Sequence, residues 1–277
     1  MTSLIVNGDD FGLCAAVNQG IVQAFCKGIL TSTSIMANAA GFDEACGLSH
    51  LHPELAVGLH ITLTCGRPIG PASSVSSLVD RQGRFYRKWA FIRRALTGAL
   101  DAEQVEIEVR SQLQMAVNAG LTITHLDTHH HVHCLPVIGR VVALLAQEWQ
   151  VPVRRTFIGS RPYGSVQAFL QQSLWQAMVS AGRLSRVSQP PCRFVGIDYM
   201  YSENKKPALM DLIDHLPEGL SELMCHPATA DVDQALPHDR LARFSDLQAL
   251  CDPQIRLALI KRKVRLVSGV DLKRRAN

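Results

Sequence analysis

Short apolar runs alternate with stretches of helical periodicity along most of the chain. A short apolar run is typical of a buried strand, whereas apolar residues three and four positions apart indicate one face of a helix. The runs predict strands at 4–6, 33–37, 56–63, 121–126, 194–197, 220–224 and 264–267, with a weaker one near Val153. The helical stretches lie at 15–27, 42–50, 101–118, 137–147 and 207–216, and two more lie near the end.

Repeated strand-then-helix units predict a parallel sheet, because parallel strands need a crossover connection and a helix is the usual one. Seven or eight such units over 277 residues favour a closed (β/α) barrel over an open sheet. An open dinucleotide-binding sheet is also disfavoured, since no glycine-rich phosphate loop follows the first strand. We therefore expect an α/β fold in which residues 1–277 form a single barrel domain. Residues 66–90, rich in Pro and Ser, are predicted to be a long functional loop.

Composition narrows the classes of protein to which the chain can belong. Lys and Arg total 28 against 24 Asp and Glu, and basic residues crowd the end from Lys261 to Arg275. No aromatic residues are interleaved with them, so we expect a solvated end and no nucleic acid partner. The eight cysteines form no C-x-x-C pair, and unpaired thiols favour a reducing compartment. With no signal peptide and no membrane span predicted, we expect a cytoplasmic protein; a homodimer is left open.

Two adjacent carboxylates follow the first predicted strand. Asp9 and Asp10 stand in the segment Asn-Gly-Asp-Asp-Phe-Gly, which is predicted to be a turn beginning after Asn7. Neighbouring carboxylates at a buried strand end repel each other, so their presence indicates a cation or a shared proton. One would then bind a metal while the other accepts a proton. A helix N-cap is the alternative interpretation, because Asp often precedes an apolar-periodic helix.

A histidine-rich tract follows the strand predicted at 121–126. Five of the nine residues from His125 to His133 are histidine, in a chain that has 11 in all. Imidazole is the commonest neutral metal ligand and suits zinc, iron, cobalt and nickel. Only one or two of the five need be ligands, and His125, still within the strand, is expected to be a core residue. A loose surface metal binder is the alternative, although this tract lies between a strand and a helix.

Two further histidines lie within or directly after predicted strands. His60 lies in the second half of the strand at 56–63, and His226 follows the strand at 220–224. Taken alone, a histidine such as His60 inside an apolar strand is usually a packed core residue, and His226 is equally well interpreted as a packed or capping residue. In a parallel barrel, however, the carboxyl ends of all strands open on one face. We therefore expect Asp9, Asp10, His60, the histidine tract and His226 to converge there.

Four segments, in this order, resemble one known family. Asn-Gly-Asp-Asp-Phe-Gly, Gly-Leu-His, Thr-His-Leu-Asp-Thr-His-His-His-Val-His and Cys-His-Pro look like the YdjC-type carbohydrate deacetylases, which include the chitooligosaccharide deacetylases. The resemblance runs from residue 4 to about residue 230, with Gly8 where the family usually has Ala. It implies a distorted (β/α) barrel of about seven strands, related to polysaccharide deacetylases. It also implies a functional assignment by motif position: metal ligands Asp10, His60 and His129, with Asp9 as base and His226 as acid.

The expected activity is hydrolysis of the N-acetyl group of an amino sugar or N-acetylated oligosaccharide, which releases acetate. One divalent metal, magnesium or zinc, would polarise the amide carbonyl and activate water. Asp9 would take the proton of that water, and His226 would protonate the departing amine. Trp89 or Tyr86 in the loop at 66–90 is available to stack on a sugar ring. Two alternatives stay open: a metal-dependent phosphohydrolase, and a catalytically inactive sugar-binding protein.

Overall fold

In the computed structural model of this protein, seven parallel strands of the described residues form one sheet. The structure describes residues 1–156, 177, 191–230 and 242–276. The strands are β1 Thr2–Phe11, β2 Ser32–Ile35, β3 Ala56–Ile61, β4 Leu126–Thr128, β5 Cys192–Val195, β6 Gly219–Cys225 and β7 Arg265–Leu266. They lie in the order β4-β3-β2-β1-β6-β5, and β7 pairs with the start of β1. Every pairing between these strands is parallel, as the strand-then-helix pattern predicts.

Helices connect the strands and cover the sheet. They are α1 Ala15–Lys27, α2 Phe42–Leu51, α3 Lys88–Leu96, α4 Ala102–Asn118, α5 Pro136–Glu148, α6 Ile197–Tyr201, α7 Lys205–Asp214, α8 Arg243–Leu250, α9 Pro253–Lys261 and α10 Gly269–Ala276. Short 3-10 helices lie at Ala72–Val75 and His129–Cys134. Apolar strand residues such as Leu4, Val6 and Leu59 pack against the helices in one continuous core. Burial of this apolar surface is the main free energy that opposes the entropy of ordering the chain.

The sheet curves so that side chains from distant strands meet inside it. Val153 forms an isolated parallel bridge with Leu126, which places the chain segment that follows α5 beside β4. The guanidinium of the next residue, Arg154, reaches Asp9 on β1 and Glu222 on β6. A flat sheet in this strand order would hold β4 and β6 far apart. The parallel strands and their curvature confirm the predicted α/β barrel-like fold, whereas a single domain over 1–277 stays a prediction.

Two predicted boundaries next to the polar strand ends differ from the structure. β1 continues through Asp9 and Asp10 to Phe11, so the turn predicted after Asn7 is wrong. The apolar pattern does not reveal this continuation, because Asp9 and Asp10 are charged. The strand can nevertheless contain them, because buried arginine side chains pair with both carboxylates. Regular pairing of β4 begins only at Leu126, although residues 124 and 125 already hydrogen-bond to β3. His125 therefore precedes the strand.

The segment at 66–90 is less irregular than predicted. It contains the 3-10 helix Ala72–Val75, a bridge between Val79 and Phe85, and the start of α3 at Lys88. Val79 and Phe85 are buried, which gives the segment a small apolar anchor on the rest of the molecule. No helix in the described part of the chain is long and apolar enough to cross a membrane.

Candidate metal centre

The polar residues expected at the strand ends do lie at one edge of the sheet. The β1–β6 register aligns Gly8 with Cys225, so Asp9 and His226 follow at equivalent positions of neighbouring strands. The β3–β4 register aligns His60 with Asp127, two residues before His129. The carboxyl ends of parallel strands thus bring together side chains that are far apart in sequence, as the barrel argument predicts.

Three side chains converge most closely. Asp10 Oδ1 lies 3.2 Å from His60 Nε2 and 3.1 Å from His129 Nδ1, and the two nitrogens are 3.3 Å apart. All three residues are buried. The three atoms form a nearly equilateral triangle of one carboxylate oxygen and two imidazole nitrogens.

The triangle fits a divalent metal ion. Oxygen and nitrogen ligands lie about 2.0–2.2 Å from zinc, which places neighbouring ligands roughly 3.0–3.5 Å from one another. Asp10 Oδ1 is buried, and no described residue donates a hydrogen bond of acceptable geometry to it. Such an orphaned buried carboxylate oxygen is costly unless a cation or donor satisfies it. The donor set is one that zinc and several other divalent metals accept.

Asp10 reaches this position through an irregularity in β1. The register between β1 and β2 shifts between Gly8 and Phe11, and Asp10 has a φ of 66°. The left-handed region costs a non-glycine residue roughly 1–2 kcal/mol. A bulge re-aims a side chain that a regular strand would direct to the other face. This local strain lets Asp9 and Asp10, adjacent in sequence, both point into the site.

His60 is oriented by a carboxylate behind it. Its Nδ1 lies 2.7 Å from Asp127 Oδ1, and Ser34 Oγ donates to the other oxygen of Asp127 at 2.9 Å. Burial disfavours the charged imidazole, but Asp127 and Asp10 outweigh burial and raise the pKa of His60 to about 10. With Nδ1 donating to Asp127, Nε2 faces Asp10 and His129. Carboxylates that support ligand histidines in this way increase their basicity.

Asp10 has a second, cationic partner. Its Oδ2 accepts a hydrogen bond of 2.6 Å from Arg243 Nη2 at the start of α8. Burial alone would raise the pKa of the Asp10 carboxyl, but Arg243 and His129 hold it well below its usual range. The carboxylate therefore stays ionised, with Oδ1 directed at the two histidines and Oδ2 at the guanidinium.

Arg154 is the buried hub of the neighbouring acidic residues. Its Nη1 and Nη2 bind the two oxygens of Asp9 at 2.6 and 2.7 Å, and Nη2 also lies 2.8 Å from Asp127 Oδ2. Its Nε donates to Glu222 Oε1 at 2.8 Å. Asn7 Nδ2 adds a hydrogen bond of 2.8 Å to Asp9 Oδ1. A carboxylate oxygen has about two lone pairs, so Oδ2 of Asp9 retains one while the carboxylate is held in a fixed orientation.

His226 is held at the end of β6 by α8. Its backbone N–H donates to Asp246 Oδ2 at 2.7 Å, and Asp246 Oδ1 lies 3.6 Å from the buried Lys205 Nζ. Lys205 in turn donates to the carbonyl oxygens of Tyr199 and Met200. The position of His226 is therefore set by a buried polar network as well as by its strand.

The other histidines of the tract have different surroundings. His130 and His131 have φ values of 60° and 55°, so they form a strained turn directly after His129. His130 Nδ1 lies 2.8 Å from Thr64 Oγ1, and His133 hydrogen-bonds to Thr128 and Thr156. The buried ring of His125 lies over the glycines at positions 58 and 269, away from the triangle. Only His129 of the five joins the candidate ligand set, and His125 is the core residue that was expected.

Charge balance also favours a divalent cation. Four carboxylates and two guanidiniums are buried in the centre, which leaves an excess of two negative charges when His60 is neutral, as a metal ligand must be. The groups are Asp9, Asp10, Asp127, Glu222, Arg154 and Arg243. Buried charge without a partner is strongly unfavourable, and a single divalent ion would neutralise this excess.

The aromatic residues of the segment at 66–90 differ in exposure. Trp89 on α3 is 72% exposed, with Lys88 Nζ 5.4 Å from its ring centroid. Tyr86 is half-buried and has the guanidinium of Arg94 over its ring at 4.5 Å. One face of Tyr86 is therefore already covered, while Trp89 has surface available. A role for either in binding sugar stays a prediction.

Sequence reasoning missed the residues that support the ligands. Arg154 and Glu222 each give a weak signal, because a charged residue at the end of or inside an apolar run must be paired if it is buried. Asp127 lies two positions before His129, which is the spacing of one strand face. No sequence signal indicates Arg243, whose partner Asp10 lies 233 positions away.

A family model and individual known proteins are both similar to nearly the whole of this chain. The family model described as YdjC-like protein matches residues 3–261. A carbohydrate deacetylase of Geobacillus stearothermophilus is 35% identical over 267 residues, which cover 95% of each chain. A chitooligosaccharide deacetylase of Yersinia pestis is 34% identical over 273 residues, covering 97% of this chain and 98% of that protein.

A solved structure is similar over nearly the whole length. The crystal structure of a candidate cellobiose-phosphate cleavage protein from Enterococcus faecalis superposes with a TM-score of 0.77 at 28% identity. The match covers 98% of this chain and 98% of that one. The overall fold is therefore shared with an experimentally determined protein.

Proposed function

This chain belongs to the family of YdjC-like proteins, and we propose that it is a metal-dependent hydrolase that removes an N-acetyl group from an amino sugar. The observation that carries the proposal is the buried triangle of Asp10, His60 and His129 beside a second oriented carboxylate, Asp9. Two relatives similar over nearly the whole chain are named as deacetylases of carbohydrate and of chitooligosaccharide, which supports the substrate class.

Asp10, His60 and His129 would hold one divalent ion, magnesium or zinc. Such an ion supplies Lewis-acid activation of the amide carbonyl and of the attacking water. The chain itself contributes the orientation of the ligands. Asp127 fixes the imidazole of His60, and Arg243 fixes the carboxylate of Asp10. Three protein ligands leave positions for water and substrate, which is the composition of a catalytic site.

Asp9 would act as the general base. It lies next to the ligands, since one of its oxygens is within 4.8 Å of both a His60 nitrogen and an Asp127 oxygen. Arg154 and Asn7 hold the carboxylate in one orientation, and the remaining lone pair of Oδ2 is available for a proton from water. A residue that served only to bind sugar would not need this orientation.

His226 would act as the general acid that protonates the departing amine. It follows Cys225 at the same edge of the sheet as Asp9, on the adjacent strand. The two residues would thus lie on either side of an amide bound at the triangle. The products would be acetate and a free amino sugar. Trp89 would provide an apolar surface for a sugar ring at the edge of the site.

The test of this proposal is product analysis on a panel of substrates. The purified protein is incubated with N-acetylglucosamine, diacetylchitobiose, a phosphorylated disaccharide and a generic phosphate ester, each with magnesium, zinc or no added metal. We expect acetate release from at least one N-acetylated sugar and no phosphate release. Phosphate release without acetate would favour the phosphohydrolase. Sugar binding without either product would favour an inactive sugar-binding protein.

A further inference from the structure

We infer that Arg243 is a positioning residue that withholds one oxygen of Asp10 from the metal, so that Asp10 binds through Oδ1 alone. This inference rests on the proposed metal site. It adds that the chain limits the number of its own ligand atoms with a buried guanidinium. The consequence is that more positions on the metal stay available for water and substrate.

The two oxygens of Asp10 have separate partners. Oδ1 lies 3.2 Å from His60 Nε2 and 3.1 Å from His129 Nδ1, whereas Oδ2 accepts a 2.6 Å hydrogen bond from Arg243 Nη2. Hydrogen bonds between charged groups are shorter and roughly twice as strong as neutral ones. For Oδ2 to turn toward the histidines, the carboxylate would have to give up this bond inside the protein.

Arg243 is itself held firmly. It is 1% exposed and is the first residue of α8. Its carbonyl oxygen accepts the N–H of Ala228 at 3.2 Å, just after β6 ends. At the other end of the helix, the carbonyl of Leu250 accepts the N–H of Ile29 at 3.2 Å. The guanidinium is therefore supported by a helix fixed at both ends and cannot easily follow a carboxylate that rotates.

The charge of Arg243 also opposes a cation at the triangle. Two like charges a few ångströms apart in a site shielded from water repel each other appreciably. A residue whose task was to strengthen metal binding would be neutral or acidic. An arginine at this position instead lowers affinity for the ion while restricting Asp10 to one oxygen. This combination favours an ion with open positions over one that is tightly enclosed.

The two effects give an unusual expectation for a substitution. In Arg243→Gln, the repulsion disappears and Oδ2 is freed to bind the ion as a second ligand. The metal should therefore bind more tightly, while kcat falls because an open position is lost. Damage to the fold alone would weaken metal binding and kcat together, so the direction of the change in affinity separates the two explanations.

The experiment uses Co²⁺ as the probe, because its visible absorption reports coordination. The metal-free full-length protein is titrated with Co²⁺, and acetate release is measured in parallel. We expect Arg243→Gln to lower the Co²⁺ dissociation constant by about tenfold or more, to change the visible spectrum and to reduce kcat. Arg243→Lys retains the charge and should stay within about threefold of the wild-type dissociation constant. Arg110→Gln removes an exposed arginine paired with Glu106 and Glu148 and should change none of these quantities.

Each outcome decides the inference. Unchanged or weaker Co²⁺ binding by Arg243→Gln would overturn it, and tighter binding with an unaltered spectrum would overturn the claim about Oδ2. If Arg243→Gln does not fold without metal, Co²⁺ should restore its near-UV circular dichroism; failure of Co²⁺ to do so also counts against the inference. Absence of Co²⁺ binding by the wild type would instead refute the proposed metal site.

Discussion

His60 Nδ1 lies 2.7 Å from Asp127 Oδ1, and this contact turns the opposite nitrogen of the imidazole toward Asp10 and His129. The pairing joins β3 to β4 at aligned positions of the sheet. Ser34 on β2 donates to Asp127 as well, so three adjacent strands contribute to the orientation of one candidate ligand. The geometry of the centre therefore depends on the strand register and not on the ligand residues alone.

Asp127→Asn should weaken metal binding without removing a ligand. The amide lacks the charge that supports the imidazole, and loss of such a partner typically costs about 10–100-fold in metal affinity. Isothermal titration with Zn²⁺ measures the effect. Asp43→Asn, in an exposed first turn of α2, is the matched control and should bind metal as the wild type does. Equal affinities for the two variants would mean that Asp127 does not support His60.

Substitution of each of the two adjacent carboxylates of β1 should have a different effect on metal binding and kcat. Asp9→Asn preserves shape but cannot accept a proton, so it should keep its metal while kcat falls by about 10²–10⁴-fold. Asp10→Asn should instead lose metal, and excess metal should restore part of its rate. Metal analysis combined with acetate-release kinetics distinguishes the two. Near-wild-type kcat for Asp9→Asn at saturating metal would exclude Asp9 as the base.

Substitution in the strained turn after His129 should change metal affinity more than the free energy of unfolding. His130→Gly relieves a left-handed backbone but loses the contact with Thr64, effects of about 1 kcal/mol each that nearly cancel. A looser turn aims His129 less well, so metal affinity should fall.

The control is Lys263→Gly, which relieves a similar φ of 53° at an exposed position after α9. It should stabilise the fold by about 1 kcal/mol in urea unfolding and leave metal affinity unchanged. Wild-type metal binding by His130→Gly would mean that the turn does not aim His129.

A buried glutamate on α4 should make stability depend on pH. Burial raises the pKa of Glu108 to about 7, while Gln112 and the N–H of Ile69 donate to its carboxylate. A folded-state pKa above the unfolded value means that the stabilisation is complete below about pH 4 and is lost as pH rises through 7. Relative to Glu108→Gln, the wild type should lose about 3 kcal/mol between pH 4 and 8.

Urea unfolding at several pH values measures this difference. Glu103→Gln, at an exposed position of the same helix, should follow the wild type at every pH. Parallel pH profiles for Glu108→Gln and the wild type would contradict the assignment. Glu108 also accepts the backbone N–H of Ile69, so its carboxylate links the segment at 66–90 to α4.

The convergence of the candidate ligands could be predicted from sequence because they stand at or near strand ends, whereas the choice of His129 among the five histidines of the tract came from the family resemblance. Asp10 and His129 follow apolar runs, His60 lies in the second half of one, and parallel topology makes the carboxyl ends of such runs converge. The bulge at Asp10 was not accessible, since it depends on how β1 pairs with β2. Its positive φ explains why two adjacent carboxylates both enter the site, which alternation along a regular strand would forbid.

The charged residues that support the candidate ligands could be identified only from the structure. Arg154 lies 145 positions from Asp9, and an arginine in sequence is far more often exposed than buried. The predicted length of β1 was wrong for the same reason. Periodicity treats Asp9 and Asp10 as the end of a strand, because it contains no information about the guanidiniums that compensate their charge inside the fold.

Reactivation of metal-free protein tests the central claim most directly. The wild type is stripped with chelator and titrated with Zn²⁺ or Mg²⁺, and acetate release from diacetylchitobiose is measured at each step. His60→Ala, which lacks a ligand, and Asp43→Asn, which is distant, are titrated beside it. We predict that activity returns in proportion to bound metal and reaches its maximum at one ion per chain. Asp43→Asn should match the wild type, and His60→Ala should bind little metal and stay inactive. Full acetate release by the stripped protein, or equal reactivation of His60→Ala, would contradict this account.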